Sequence, residues 1–176
     1  MLTPRLPIYK GRIVDLGLES VELPSGHRVE LEVIRHPGAA AVVPLHDDGT
    51  ITLVHQYRHA GGGMHFELPA GVLDNGEVPE LCARRELREE VGLGCEELLR
   101  LGMIHTTPGF TDERIWIFLA RGLTEIGAAP EPDEHLSPVR LTLARALELV
   151  DLGELTDAKT ISGLFMLTRF LARASG

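Results

Sequence analysis

A chain of 176 residues with 44% hydrophobic and 24% charged side chains is long enough, and balanced enough, for one ordinary domain with a buried core. Its formal net charge of -9 argues against general nucleic-acid binding, and an anionic small ligand would need a local cation to reverse the field. The N-terminus lacks the apolar core of a signal peptide, and no stretch approaches the ~20 apolar residues of a membrane span, so a cytoplasmic protein with no membrane partner is expected.

Residues 12–23 and 28–34 alternate apolar and polar side chains around Pro24-Ser25-Gly26, which predicts an N-terminal hairpin with two polar faces and no core of its own. Residues 39–45 and 50–57 flank Asp47-Asp48-Gly49 and predict a second hairpin. Phe66–Gly71 reads as a strand running into a loop. A helix is predicted over Pro79–Val91, with proline in its first turn and Gly92-Leu93 as a left-handed C-cap and its hydrophobic contact. Two more strands are predicted at 101–107 and 115–120, the latter apolar throughout and therefore central. A second helix starts after Thr142 and ends near Gly153. A third begins near Asp157, with Ile161, Leu164, Phe165, Leu167 and Leu171 as its apolar stripe. This order predicts an α/β (α+β) domain, a mixed sheet packed between helices. Cys82 and Cys95 make neither a CxxC nor a metal spacing and read as reduced thiols. His46, His55, His59, His65 and His105 likewise form no metal-ligand spacing and read as structural or solvent-facing.

The chemistry is concentrated in GVLDNGEVPELCARRELREEVGL, residues 71–93. At ~100° per residue, Glu86, Glu89 and Glu90 share an arc of roughly 100°. Like charges at these spacings oppose the helix by roughly a few tenths of a kcal/mol each. Arg85 can meet Glu89 one turn on, which relieves only part of the repulsion. A hard divalent cation such as Mg²⁺ would neutralise the rest. A glutamate-rich helix is ordinarily a solvated face. Here Ala83, Leu87 and Val91 form the adjacent arc, so Glu90 borders the buried side.

Gly71, Glu77, Arg85-Glu86-Leu87, Glu89-Glu90 and Gly92-Leu93, separated by five, seven, one and one residues, resemble the Nudix box at every fixed position. Such a match arises by chance on the order of once in a billion starting positions. The resemblance implies a Nudix fold, a mixed β-sheet sandwiched between α-helices, here with an N-terminal antiparallel hairpin extension. It implies Mg²⁺-dependent hydrolysis of a diphosphate, with Mn²⁺ as the alternative ion. Glu86 and Glu90 would be the principal metal ligands, Glu89 a further ligand directly or through water, and the carbonyl of Ala70 another. Glu77 and Arg85 would hold the box as a charge pair, with Gly71 and Gly92 at turns.

The general base in the ADP-ribose pyrophosphatase branch is a glutamate on the loop before the penultimate helix. Here that loop reads Pro130-Glu131-Pro132-Asp133-Glu134-His135, so Glu134 is the first candidate and Glu131 or Asp133 the reserves. Pro132 and Pro138 depart from the commoner pattern, and Glu89 is the rival base. Pro108, fifteen residues after Leu93 within Thr107–Glu113 (TPGFTDE), resembles the marker of that branch. The expected reaction is ADP-ribose and water to AMP and ribose 5-phosphate, with Glu113 accepting hydrogen bonds from ribose hydroxyls. Arg58 would contact phosphate or adenine, and Arg35 is a weaker candidate of the same kind. Alternatives are a pyrophosphatase for GDP-mannose, NADH or FAD, and, in another class, a non-catalytic sensor of ADP-ribose-type ligands. The sensor is disfavoured because every box carboxylate is present. Residues 1–36 are expected to form a dimerising hairpin segment and 37–176 the hydrolase domain, giving a homodimer in which Tyr9 reaches the partner's substrate.

Overall fold

The computed structural model describes residues 5–127 and 135–174. Strands β1 (Arg5–Lys10), β2 (Asp15–Glu22) and β3 (Arg28–Arg35) form a separate antiparallel sheet in that order. The expected hairpin is β2–β3, turning at Gly26, whose φ of 81° suits glycine. Two differences stand out: β2 starts at Asp15 instead of residue 12, and β1 was not expected. Its Pro7 cannot donate to a ladder, and the β1–β2 register shifts between Pro7 and Tyr9. Such a segment reads poorly as a strand and is tolerated at a sheet edge. Leu6, Ile8 and Tyr9 on β1 and Ile13 in the turn between β1 and β2 are exposed.

Strands β4 (Ala39–Pro44), β5 (Thr50–Arg58), β6 (Gly63–Glu67) and β7 (Ala70–Val72) precede helix α1 (Pro79–Val91). Then come β8 (Leu93–His105), β9 (Arg114–Glu125), β10 (Leu136–Thr142), α2 (Leu143–Asp151) and α3 (Ala158–Ala174). The hairpin expected over 39–57 is corrected. Its turn forms, with His46 N–H donating to the Thr50 carbonyl at 2.9 Å, but β4 and β5 part beyond a single Leu45–Ile51 bridge and join different sheets. Every residue of β4 is buried, so it pairs centrally, parallel to β9 on one side and antiparallel to β7 on the other. The sheets are β7-β4-β9-β8 and β10-β5-β6. Strand β8 begins eight residues earlier than expected and carries a bulge between Arg100 and Gly102. Strand β10, for which no strand was predicted, contains Pro138 and is an edge strand.

The two faces of β4 organise the core. Ala39, Ala41 and Val43 pack with Ile117, Leu119, Leu164 and Leu167 under α2 and α3. Ala40 and Val42 pack with Ala83, Leu87, Val91 and Phe118 under α1. The sheet is therefore sandwiched between helices, as expected. Pro79 opens α1, and Gly92 closes it at φ 69°, donating to the Arg88 carbonyl at 2.9 Å. Thr142 caps α2 by accepting the Arg145 N–H, and Asp157 caps α3 by accepting the Thr160 N–H. The expected α3 stripe is shifted: Thr160, Gly163, Leu164 and Leu167 are buried, whereas Ile161 and Phe165 are exposed. Contact is made at Gly163, where a Cβ would meet Leu68 Cδ1 at 2.5 Å, so the helix rotates its smallest residue onto the sheet. Among the described residues no helix is long and apolar enough to cross a membrane.

Candidate active site

A cavity of about 730 Å³ opens where α1, β7, the end of β5 and the start of α3 converge. One wall is acidic. Glu86 and Glu89 line it from α1, and Glu90 lies behind them, 2% exposed, with Oε2 accepting the Ala70 N–H at 3.0 Å. Glu90, expected at the border of the buried side, is thus buried more deeply than that. Gly71 sits in β7 and its φ is not left-handed, which corrects its reading as a turn glycine. It is required for space: a Cβ there would stand 1.7 Å from Glu86 Oε1.

Arg85 ties this wall together. Its guanidinium donates to Glu77 at 3.1 and 3.0 Å, to the Val72 carbonyl at 3.1 Å, to Glu86 at 2.5 Å and to Glu89 at 3.3 Å. The bonds to Glu77 raise the Arg85 pKa further and hold the Glu77 carboxyl below its usual range. Among the described residues no three acidic, histidine or cysteine side chains converge as a preformed metal cluster. Glu86 and Glu89 turn instead onto Arg85. Beneath, Cys82 Sγ donates to the Gly71 carbonyl, and burial pushes its thiol up to about 12, an unreactive reduced thiol.

Another stretch of the lining is cationic at its surface. Arg58 ends β5 and donates to both oxygens of Glu67 at 2.8 and 2.9 Å, and Lys159 donates to Glu67 at 2.5 Å. Burial alone would raise the Glu67 carboxyl, but the Arg58 hydrogen bonds and the Lys159 charge outweigh it and hold the group at about 2. Gln56, also in the lining, is buried, and its Oε1 has no hydrogen-bond partner among the described residues.

The structure brings Ala70, Glu86, Glu89, Arg58 and Glu113 to the cavity and leaves Arg35 out of its lining. Glu113 receives the Thr106 hydroxyl at 2.6 Å, and His36 Nε2 stands 3.6 Å away. Arg35 is taken up by Glu19 and Asp112. Glu131, Asp133 and Glu134 lie outside the described residues, but His135, which follows them, lines the cavity and accepts the Tyr57 N–H at 3.0 Å. His46 bonds Thr52, His55 stacks on Phe66, and His65 bonds the Gly61 carbonyl, so these are structural as expected. Sequence reasoning missed Lys159. The available signal was a lysine in the first turn of a helix, where the dipole disfavours a cation.

A family model described as the NUDIX domain matches residues 35–163. The chain belongs to the Nudix family. It is 41% identical over 155 residues to the ADP-ribose pyrophosphatase of Bacillus subtilis (strain 168), covering 87% of this chain and 84% of that one. It is 41% identical over 163 residues to the ADP-ribose pyrophosphatase of Mycobacterium tuberculosis (strain ATCC 25618 / H37Rv), covering 89% and 77%. It is also 40% identical over 156 residues to the methanol dehydrogenase activator of Bacillus methanolicus, covering 88% and 84%. The crystal structure of an ADP compounds hydrolase superposes with a TM-score of 0.84 over 97% of this chain and 93% of that one, at 24% identity, which shows the common Nudix fold. The acidic helix α1 and its two flanking glycines lie inside the matched region.

Proposed function

We propose that this Nudix chain is a Mg²⁺-dependent pyrophosphohydrolase of nucleoside-diphosphate sugars, converting ADP-ribose and water to AMP and ribose 5-phosphate. The observation that carries the reading is one cavity lined by both the acidic Glu86 and Glu89 and the cationic Arg58. A bridging diphosphate is a ligand that suits both, through metal on the acidic side and directly on the cationic side. The names of two relatives at 41% identity support ADP-ribose as the group attached.

The residues present fit a hard divalent ion. Glu86, Glu89, Glu90 and the Ala70 carbonyl offer oxygen donors only, and Gly71 leaves room for the Glu86 carboxylate to lie against the loop backbone. Bound there, Mg²⁺ or Mn²⁺ would neutralise phosphate oxygens and lower the pKa of a coordinated water. Arg85 keeps its place through Glu77 and the Val72 carbonyl when Glu86 and Glu89 turn to the metal. Arg58 holds the diphosphate, and Glu113 accepts from ribose hydroxyls. A proton leaves the attacking water for Glu134, with Glu131 and Asp133 as reserves and Glu89 as the fixed rival.

Residues 1–36 serve as a dimerising segment of a cytoplasmic homodimer. Its sheet exposes Leu6, Ile8 and Tyr9, while Arg12 and Ile13 line the cavity, which suits a segment working at a shared site. Light scattering that returned a clean 19.3 kDa monomer would remove this part.

The test is a Mg²⁺ panel of ADP-ribose, GDP-mannose, NADH and FAD on wild type and Glu90→Gln. The highest kcat/KM is expected for ADP-ribose, and Glu90→Gln should lower kcat by roughly 10²–10⁴-fold. Preference for GDP-mannose overturns the substrate. Full activity in Glu90→Gln overturns the metal site, and tight binding without turnover in wild type turns the chain into a sensor.

A further inference from the structure

We propose that Lys159 is a diphosphate-binding residue, its ammonium fixed at the cavity wall by the buried carboxylate of Glu67 and by Asp157. The proposal rests on the diphosphate reading above and adds a contact to it.

Lys159 stands in the first turn of α3 with its side chain 12% exposed. Its Nζ lies 2.5 Å from Glu67 Oε2 and 3.1 Å from Asp157 Oδ1. An ammonium has three N–H groups; one is donated to Glu67, and the ion pair with Asp157 draws the charge toward a second carboxylate without exhausting the remaining donors.

Neutralising Glu67 does not require this lysine. Arg58 already occupies both carboxylate oxygens as a fork. Seating a second cation beside it loses hydration, and a positive charge in the first turn opposes the helix dipole. Stability alone is therefore a poor account of Lys159.

The distribution of charge gives a better one. Arg58 and Lys159 line both the 730 Å³ cavity and a smaller hollow of about 400 Å³, whereas Glu67 and Asp157 line only the smaller one. The larger cavity therefore meets the two cations and neither of the carboxylates that hold them. The same cavity is lined by Glu86 and Glu89. An anion in this cavity meets two positive groups that are already in position, so little side-chain freedom is lost when it binds. Glu67 acts here through Lys159 and Arg58 and is a positioning residue.

Lys159→Met keeps an unbranched side chain one atom shorter and removes its charge. Losing one charged hydrogen bond is expected to raise KM for ADP-ribose about 10–100-fold, with most of the loss in KM and little in kcat. Calorimetric titration with inorganic pyrophosphate in EDTA, where no turnover occurs, should show affinity falling by a similar factor. Lys159→Arg should restore most of both. A merely structural lysine gives the opposite pattern: the melting temperature of Lys159→Met drops while KM and pyrophosphate affinity stay put, and that result overturns the proposal. If Lys159→Met does not fold, Lys159→Gln, whose amide still donates to Glu67, makes the same comparison. Absence of ADP-ribose hydrolysis in wild type, with pyrophosphate affinity still lost in the variant, defeats the substrate and leaves the subsite standing. Robust hydrolysis with an unmoved KM defeats the subsite alone.

Discussion

Arg35 and Arg58 make the same fork with different consequences. Each lays two nitrogens over a nearly buried glutamate, Arg35 on Glu19 at 2.8 and 2.6 Å and Arg58 on Glu67 at 2.8 and 2.9 Å. Each arginine side chain is 46% exposed and each glutamate side chain 5% or less. The difference lies in the nitrogen left over. Arg35 spends its Nη1 on Asp112 at 2.9 Å, closing a three-residue clamp. The Nη1 of Arg58 has no partner among the described residues, and Arg58 lines the cavity. A fork therefore does not define a role. What remains of the guanidinium after the fork is made does.

The largest expected effect follows from that remainder. Arg58→Ala should lower kcat/KM for ADP-ribose by about 10²-fold, the scale of a lost charge-assisted contact, and should also lower the melting temperature because Glu67 keeps only Lys159. Steady-state kinetics beside a thermal melt checks both. Wild-type kinetics in a destabilised Arg58→Ala would make Arg58 a second Arg35 and erase the contrast.

The sequence placed these arginines in one class because their partners are remote. Glu19 is 16 residues from Arg35, and Asp112 is 77 away. Helix α1 was legible because its determinants are local: the carboxylate row at i, i+3 and i+4, the adjacent apolar arc, Pro79 and Gly92. The substrate wall was not. Lys159 acquires its meaning from Glu67, 92 residues earlier, through a contact no periodicity encodes. Strands were legible as extended segments but not as pairs. Residues 39–57 read as a hairpin because Asp47-Asp48-Gly49 signals a turn, and a turn is silent on which strand lies alongside beyond it. Strands β1 and β10, neither of them predicted, contain Pro7 and Pro138, and both are edge strands that can do without one donor.

A second effect concerns Glu67 itself. Its folded-state carboxyl is held at about 2, below its ordinary 4.5, so the ionised form belongs to the folded state. Stability from this group is fully present above about pH 4.5 and is lost as pH falls through about 2. Glu67→Gln should melt roughly 5–10 °C below wild type at pH 7, the scale of about 3 kcal/mol in a domain of this size. The gap between the two proteins should then close between pH 4.5 and 2. Asp112, Glu77 and Asp48 are also held low and shape the acid limb of both proteins, so the difference between the two melting curves isolates Glu67. A gap that stays constant with pH would show that Glu67 is not the group titrating.

The smallest kinetic effect is expected at Arg35. Arg35→Ala strips Glu19 of its fork, leaving Arg5 Nε at 3.5 Å, and frees one oxygen of Asp112, so the protein should melt several degrees lower. The loop that carries Glu113 nevertheless keeps its backbone ties. Ile34 N–H donates to the Phe110 carbonyl at 2.8 Å, Asp112 N–H returns to the Ile34 carbonyl at 3.3 Å, and Asp112 Oδ1 still accepts the His36 N–H at 2.9 Å. These bonds hold residues 110–112 against the end of β3 without any help from the guanidinium. KM for ADP-ribose should therefore rise no more than about threefold, within the reach of one weakened neutral contact. A rise beyond tenfold at unchanged melting temperature would mean that Arg35 reaches the ligand despite lying outside the cavity lining. The two forks would then be alike in function as well as in geometry.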